Sequence, residues 1–477
     1  MNAMKVLPLA PTMSLDVGVI HFIGIGGIGM SGIAEILHNQ GYKVQGSDLS
    51  ESANVERLRA KGMEIFIGQR EENIANADVI VKSTAVKEDN PEIIAARTQR
   101  IPVVKRSEML AEVMRLKMCV AIAGTHGKTT TTSLTATLLE AGGLEPTIIN
   151  GGIINKLGTN AKVGKGDWLV VEADESDGTF TRLPISVGVI TNIDPEHLDY
   201  YGDFETLKGA FAQFLDNLPF YGFAALCIDH PEVQKLASTV KDRRILTYGT
   251  SPQADIRADN IRGDAEGQRF DLRIFKPVDE EEQIWHDVSL PMHGRHNLLN
   301  ALAAIAVAED LGMPVSAIKS ALAEFEGVKR RFTPVDEVNG VRIIDDYAHH
   351  PVEIKATLSS ARQAVEATGG KVIAIAQPHR YSRVESLFDD FCTCFNQADK
   401  VFITPIFEAG EKPIKGISQE SLVEGIRAAG HREVHAVDAP EGLPHAIEKH
   451  AEAGDIVVCM GAGSISNWAN ALPERMA

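Results

Sequence analysis

Short apolar runs recur along the whole chain, each closed by glycine or polar residues and followed by a stretch whose apolar positions repeat at helical spacing. Strands alternating with helices in this way predict α/β domains built on mainly parallel sheets. The first run, GVIHFIGIG, breaks at glycines and continues into the helical GMSGIAEILHNQG; YKVQGSD, ADVIVKSTAVKEDNPE and IPVVKR supply later strands of the same sheet. A second series starts at MCVAIAG, passes through the helix TTSLTATLLEAGG, and includes DWLVVEADESD and ISVGVITNIDPEHLD, strands that end in acids or a histidine. Between 250 and 290 the segments RFDLRIF and IWHDVSL are shorter and more polar, which suits a small antiparallel elaboration, and the long helix NLLNALAAIAVAEDLG comes next. A third series opens at GVRIIDDYAHHP and runs through KVIAIAQP, KVFITPI, EVHAV and DIVVCMGAG.

What repeats is a whole α/β unit. The predicted boundaries are 1–115, a Rossmann-like N-terminal domain; 116–332, a central P-loop ATPase-type domain; and 333–477, a Rossmann-like C-terminal domain. A chain of 477 residues exceeds what one core usually organises, in keeping with several domains. With 44% hydrophobic and 23% charged residues, no apolar run of membrane-spanning length and no apolar signal core near the start, a cytoplasmic protein with no membrane partner is expected. Met13 is an alternative start. A net charge of -18 argues against nucleic acid as a partner, while a local nest of backbone N–H groups still suits small anions. The five cysteines are scattered, and Cys392-Thr393-Cys394 is too tight for zinc spacing, so reduced, buried thiols are expected.

Candidate chemistry gathers where strands end. Gly24, Gly26 and Gly29, with Gly27 between them, form G-x-G-x-x-G from strand to helix, and Asp48 closes the next strand. That order suits a nucleotide-binding turn; the alternative is glycine that only permits close packing. Ser83 and Thr84 lie at the carboxyl end of a later strand, where open α/β sheets hold ligands. In the second series, the turn Gly124-Thr125-His126-Gly127 precedes Lys128, Thr129 and Thr130, a P-loop with a shortened glycine frame, since Ile122 stands where the usual first glycine would be. Its amides and helix start suit an anion, Lys128 suits the β- and γ-phosphates, and the Thr129 hydroxyl suits a magnesium shell. Glu172, Asp174, Glu175 and Asp177 crowd the end of a buried strand, as magnesium ligands or as a solvated acidic turn. His197 closes the following strand as a metal ligand, a proton acceptor or a loop histidine.

His296, Asn297 and Asn300 stand at a helix start, where Asn297 either reads a base edge or caps the helix. Arg330 and Arg331 sit at the join of the second and third series, as phosphate contacts or a solvated linker. The densest constellation is Asp345, Asp346, Tyr347, His349 and His350, followed by Arg380 and Arg383 after the next strand. Arginines in this position suit a carboxylate or phosphate, and the histidines suit an amine or its proton.

Taken in order, GTHGKTTTT, EADESD, TNIDPEHLD, HGRHNLLNALAA, VKRRF, DDYAHHP and QPHRYSR resemble the motifs of the ATP-dependent Mur ligases of peptidoglycan synthesis. The resemblance runs from HFIGIGGIGMSGIAEIL to GAGSIS, nearly the whole chain. It implies a first domain that holds a UDP-sugar, a middle domain for ATP and Mg2+, and a last domain for the amino acid. By the same resemblance Lys128, Glu172, His197 and His349 are catalytic, and Thr129, Glu172 and His197 serve the metals. ATP falls to Gly124 through Thr130, with Asn297 on adenine, Arg331 on phosphate and Asp346 on ribose. The UDP-sugar falls to Gly24, Gly26, Gly27, Gly29, Asp48, Ser83 and Thr84, and the amino acid to Tyr347, His349, Arg380 and Arg383. The branch it most resembles joins L-alanine to the lactyl carboxylate of UDP-N-acetylmuramate through an acyl phosphate, as a monomer or homodimer. Rival readings are the branch that attaches a whole tripeptide and, from Gly24 to Gly29 with Asp48, an NAD-dependent oxidoreductase. Two positions depart from the pattern: Lys208 is not assigned to the carbamylated lysine of sister ligases, and Phe407 stands where relatives often carry tyrosine.

Overall fold

The computed structural model describes residues 17–83, 85–115, 117–263, 266–276, 281–366 and 369–476. The chain divides into two compact units, Met1–Asp259 with Leu272–Trp285 and Leu299–Phe325, and Asn260–Asp271 with His286–Leu298 and Glu326–Ala477. Three sheets organise the described residues.

The first sheet holds β1 (Val19–Ile23), β2 (Lys43–Asp48), β3 (Glu64–Ile67), β4 (Val79–Lys82) and β5 (Val103–Lys105). Their order is β3-β2-β1-β4-β5 and every pairing is parallel. Strand order therefore reverses at β1, which places the ligand crevice at its carboxyl end, where the chain enters the glycine turn. Helix Ile28–Asn39 starts from Gly27 with no side-chain cap. Helix Pro91–Thr98, by contrast, has proline at its first position and an Asn90 side chain that accepts from the amides of Glu92 and Ile93.

The second sheet runs through β6 (Met118–Ala123), β7 (Thr147–Ile154), β8 (Thr159–Lys162), β9 (Trp168–Glu172), β10 (Val187–Ile190), β11 (Phe223–Cys227), β12 (Arg244–Gly249), β13 (Ile256–Gly263), β14 (Gln268–Lys276) and β15 (Glu281–Leu290). Its order is β15-β14-β13-β12-β11-β10-β6-β9-β7-β8. The pairings from β7 through β9, β6, β10, β11 and β12 to β13 are parallel, as expected for strands separated by helices. The polar elaboration expected between 250 and 290 is the run of β13, β14 and β15 at one edge. At the other edge β8 pairs antiparallel with β7. The apolar pattern does not announce that hairpin, because Asn150, Gly151 and Gly152 interrupt it. In the first unit one hydrophobic cluster is continuous from Ile20, Phe22 and Leu37 to Leu169, Phe180 and Phe211.

The third sheet contains β16 (Thr333–Val338), β17 (Val341–Asp346), β18 (Val372–Ala376), β19 (Lys400–Ile403), β20 (Val434–Ala436) and β21 (Ile456–Met460), in the order β16-β17-β21-β18-β19-β20. Only the edge pairing of β16 with β17 is antiparallel. Side chains alternate across a strand, so Val372, Ala374 and Ala376 enter one buried cluster while Ile373 and Ile375 enter another. This explains the unbroken apolar run of β18, a strand covered on both faces. All five cysteines are buried and none is in a disulfide. Among the described residues no helix is long and apolar enough to cross a membrane.

Candidate functional site

At the first glycine turn, the amides of Gly24 and Ile25 donate to the Ser47 carbonyl at 2.8 and 3.0 Å. Gly26 donates to Asp48 Oδ2 at 2.8 Å, so the acid that closes β2 holds the turn by one of its amides. A Cβ on Gly26 would stand 2.9 Å from both Asp48 Oδ2 and Val55 Cγ2, so any larger residue would displace the Asp48 carboxylate that holds the turn or the packed Val55. Gly24, Gly26, Gly27, Asp48, Ser83 and Asn90 line a cleft of about 620 Å³, within the usual range for small-molecule sites. Gly29 makes room for the Arg106 side chain, the packing role weighed for these glycines. Thr84 lies outside the described residues.

The second glycine turn joins β6 to helix Lys128–Ala141, with Gly124 at φ +131° and Gly127 at φ +83°, conformations that favour glycine. The segment after β10 braces it. Asn192 accepts the amide of Thr125 on its carbonyl at 3.1 Å and that of His126 on Oδ1 at 2.7 Å. The Thr191 hydroxyl donates to the His126 carbonyl at 2.7 Å, and the Asp194 amide donates to Thr125 Oγ1 at 2.9 Å. These braces were not predicted, although they lie inside TNIDPEHLD, because a tie between two strand ends leaves no local pattern. Thr129 and Thr130 are buried on the first turn of the helix, and Thr131 donates to Asn300 Oδ1 at 3.1 Å.

Lys128 Nζ lies 2.7 Å from the Gly124 carbonyl, 3.0 Å from that of Thr125 and 2.8 Å from Glu175 Oε2. Burial pulls the Lys128 pKa down, but Glu175, Glu172 and Asp174 together outweigh it and keep the ammonium charged. Burial also pushes the Glu175 carboxyl up, against the pull of Lys128. His197 follows at φ +56°, its Nε2 3.9 Å from Glu175 Oε1. Glu175, Glu196 and His197 each offer one ligand atom, all within 4.8 Å of one another. Of the four acids at the end of β9, Glu175 thus joins His197. Glu172 accepts the Gly151 amide at 2.8 Å, and Glu196, inside TNIDPEHLD, was not singled out from the sequence.

In the third sheet, β17 delivers Asp346, whose oxygens accept the amides of Phe332 and Ala348, each at 2.7 Å, and the Thr357 hydroxyl at 3.2 Å. Burial pushes its carboxyl up, while Arg331 and the two amides pull it down. The guanidinium groups of Arg330 and Arg331 lie 4.8 and 5.3 Å from the centre of the Tyr347 ring. His349 Nδ1 faces the Tyr347 carbonyl at 3.0 Å and Glu353 at 3.2 Å. His379, inside the predicted QPHRYSR segment, stacks on Phe407 at 5.5 Å and meets the His349 ring edgewise at 5.9 Å. Arg380 donates its amide to the Phe407 carbonyl at 2.9 Å, and Arg383 stands in the short helix Tyr381–Ser386. Asn297 is buried, with its amide on the His293 carbonyl at 2.9 Å. Arg330, Phe332 and Arg380, all within the predicted motifs, adopt φ of +61°, +49° and +69°, uncommon for residues with a Cβ.

Burial, then Arg331, holds the His296 pKa down at about 4; burial, then His349, Arg383 and Arg380, does the same for His379, also at about 4. An unfolded histidine titrates near 6.5, so between about 4 and 6.5 the unfolded chain binds more protons and stability falls as pH falls. The melting temperature is expected to drop between pH 7 and pH 4.5, and to drop less in His379→Phe. Equal drops for the two proteins would contradict the assignment.

A strand ending in a positive-φ glycine turn, a buried lysine paired with a carboxylate at the helix start, and a second glycine turn in a separate sheet define a multidomain α/β nucleotide-binding protein. Comparison with known proteins narrows that class. Residues 19–118 match the Mur ligase family catalytic domain, 122–308 the Mur ligase middle domain, and 330–463 the Mur ligase glutamate ligase domain. A UDP-N-acetylmuramate--L-alanine ligase of Brucella anthropi is 59% identical over 465 residues, 98% of either chain. The UDP-N-acetylmuramate-alanine ligase MurC of Thermotoga maritima is similar in structure, with a TM-score of 0.78 at 29% identity, covering 96% of this chain and 99% of that one. A murein peptide ligase of Psychrobacter arcticus shares the fold at a TM-score of 0.68 and 24% identity, covering 96% and 98% of the two chains. The chain belongs to the Mur ligase family.

Proposed function

We propose that this protein joins L-alanine to the lactyl carboxylate of UDP-N-acetylmuramate, converting ATP to ADP and phosphate, in cytoplasmic peptidoglycan precursor synthesis. The observation that carries this reading is the buried Lys128–Glu175 pair at a braced glycine turn, in a chain that aligns over 98% of its length with ligases of that name. The domains are assigned as 1–115 for the UDP-sugar, 116–332 for ATP and 333–477 for the amino acid, in a monomer or homodimer that requires no nucleic acid or membrane.

A carboxylate is a poor acyl donor at neutral pH. The lactyl carboxylate oxygen attacks the γ-phosphorus, the bond to the ADP oxygen breaks, and an acyl phosphate forms. The amine of L-alanine then attacks the acyl carbon, a tetrahedral intermediate forms, and phosphate leaves. Lys128, exchanging Glu175 for phosphate oxygens, stabilises charge on the transferring group. Gly124 to Thr130 hold the phosphates, Asn297 the adenine, Asp346 the ribose and Arg331 a phosphate. Gly24, Gly26, Gly27, Asp48 and Ser83 hold the UDP moiety. Arg380 and Arg383 clamp the alanine carboxylate beside Tyr347. With its Nδ1–H given to the Tyr347 carbonyl, His349 presents Nε2 as the atom that accepts the amine proton.

The carboxylates of Glu175 and Glu196, with the Thr129 hydroxyl and Glu172 as further donors, would give Mg2+ the oxygen ligands it takes alongside retained waters, and His197 would add one imidazole nitrogen. When bound, Mg2+ neutralises charge on the phosphoryl oxygens. Phosphate release from Mg-ATP tests the proposal: release is expected only when UDP-N-acetylmuramate and L-alanine are both present. Release with the tripeptide and not with L-alanine would move the protein to the recycling branch.

A further inference from the structure

One buried acid has no part in the mechanism above. Glu92 opens helix Pro91–Thr98 and is fully buried beneath the first glycine turn, next to the cleft residues Asn90 and Pro91. Four neighbours face its carboxylate with donor groups. The Ser47 hydroxyl donates to Oε2 at 2.6 Å, the Asn73 amide to Oε1 at 2.6 Å, and the Arg70 backbone amide to Oε1 at 3.4 Å. His21 Nε2 lies 3.5 Å from Oε2. The Gln45 side-chain nitrogen, fixed as a donor by its bond to the Asn73 carbonyl at 3.0 Å, also donates to His21 Nδ1 at 3.1 Å, which leaves the ring proton on Nε2, facing Glu92. Burial pushes the Glu92 carboxyl up, but the facing His21 ring and the bonds from Ser47 and Asn73 outweigh it and hold the group below its usual range.

Burying a carboxylate carries a desolvation cost, which the donors around Glu92 offset only while they are held in place. Its bonds lead to the cleft. Ser47, held by its hydroxyl, offers the carbonyl that accepts the amides of Gly24 and Ile25. Asn73 also donates to the Gly68 carbonyl at 2.9 Å, and the Gly68 amide donates to the Asp48 carbonyl at 2.8 Å, so both residues that fix the glycine turn are tied to Glu92.

We infer that Glu92 is a positioning residue of the UDP-sugar cleft, acting chiefly through Ser47 to fix the glycine turn that receives the pyrophosphate. The inference rests on the proposed role of that cleft. Glu92→Gln keeps the shape but puts an NH2 group against donors. Titration calorimetry of the full-length protein with UDP, and separately with ATP, tests it. Both Glu92→Gln and Ser47→Ala are expected to bind UDP about ten-fold more weakly than wild type. The double variant is expected to bind no more weakly than Glu92→Gln alone, because the two residues act as one unit. ATP affinity, and kcat at saturating UDP-N-acetylmuramate, are expected to be unchanged, so KM for the sugar nucleotide rises alone. Wild-type UDP affinity in Glu92→Gln, additive losses, or a parallel loss of ATP affinity would overturn the inference; if Glu92→Gln does not fold, unchanged affinity in Ser47→Ala overturns it. A wild-type protein that binds ATP but not UDP would overturn the reading of the cleft itself.

Discussion

Lys128→Ala is expected to lower kcat/KM for phosphate release by about 10³-fold or more. The ammonium is fixed by two carbonyls of its own turn and by Glu175, so it stands at the anion site before any nucleotide arrives. Preorganised charge of this kind needs no rearrangement as the phosphoryl group transfers, and no other lysine or arginine lies in the turn Gly124–Gly127 to replace it. The variant also leaves Glu175, 1% exposed, without its cation, which costs about 3–5 kcal/mol when one partner of a buried pair is removed. Stability and activity therefore separate. Adding Glu175→Gln to Lys128→Ala is expected to recover most of the melting temperature and none of the turnover. Thermal melts and phosphate release on the two variants check both parts; turnover in the double variant would contradict the role of Lys128.

Gly124→Ala is the second large effect. At φ +131° a side chain is strained, and its Cβ would overlap the Thr191 hydroxyl while standing 3.0 Å from the Thr191 nitrogen and 3.1 Å from the Asn192 carbonyl. Those neighbours cannot yield, because the same segment carries the bonds that brace the turn. A loss of about 3 kcal/mol in unfolding free energy, together with loss of ATP binding, is expected. Gly143→Ala is the control: φ is +79°, nothing lies within 4 Å of the added Cβ, and about 1 kcal/mol should be lost with ATP binding intact. Denaturant titration and nucleotide binding distinguish the two; equal behaviour would show that the braces do not matter.

Those two positions also show what a sequence reveals. Glycine turns between a strand and a helix are local, so Gly24, Gly26, Gly124, Gly127 and Lys128 could be singled out from their neighbours alone. The three mainly parallel sheets were legible for the same reason, since strands covered on both faces leave apolar runs such as those of β6, β18 and β21. Partners distant in the chain were not legible. Asn192 braces His126 across 66 positions, and Glu92 reaches Ser47 across 45. Within EADESD the spacing could not tell Glu172, which binds the Gly151 amide, from Glu175, which pairs with Lys128. Gly29 satisfied the dinucleotide pattern for a different reason, the close approach of Arg106.

Activation of the carboxylate by the γ-phosphate is the central claim, and one isotope measurement addresses it. UDP-N-acetylmuramate carrying oxygen-18 in both lactyl carboxylate oxygens is incubated with Mg-ATP and L-alanine, and the released phosphate is analysed by mass. An acyl phosphate requires one labelled oxygen to leave with phosphate and the other to remain in the new amide carbonyl. Label found in AMP, or phosphate released without label while the amide forms, would contradict the account.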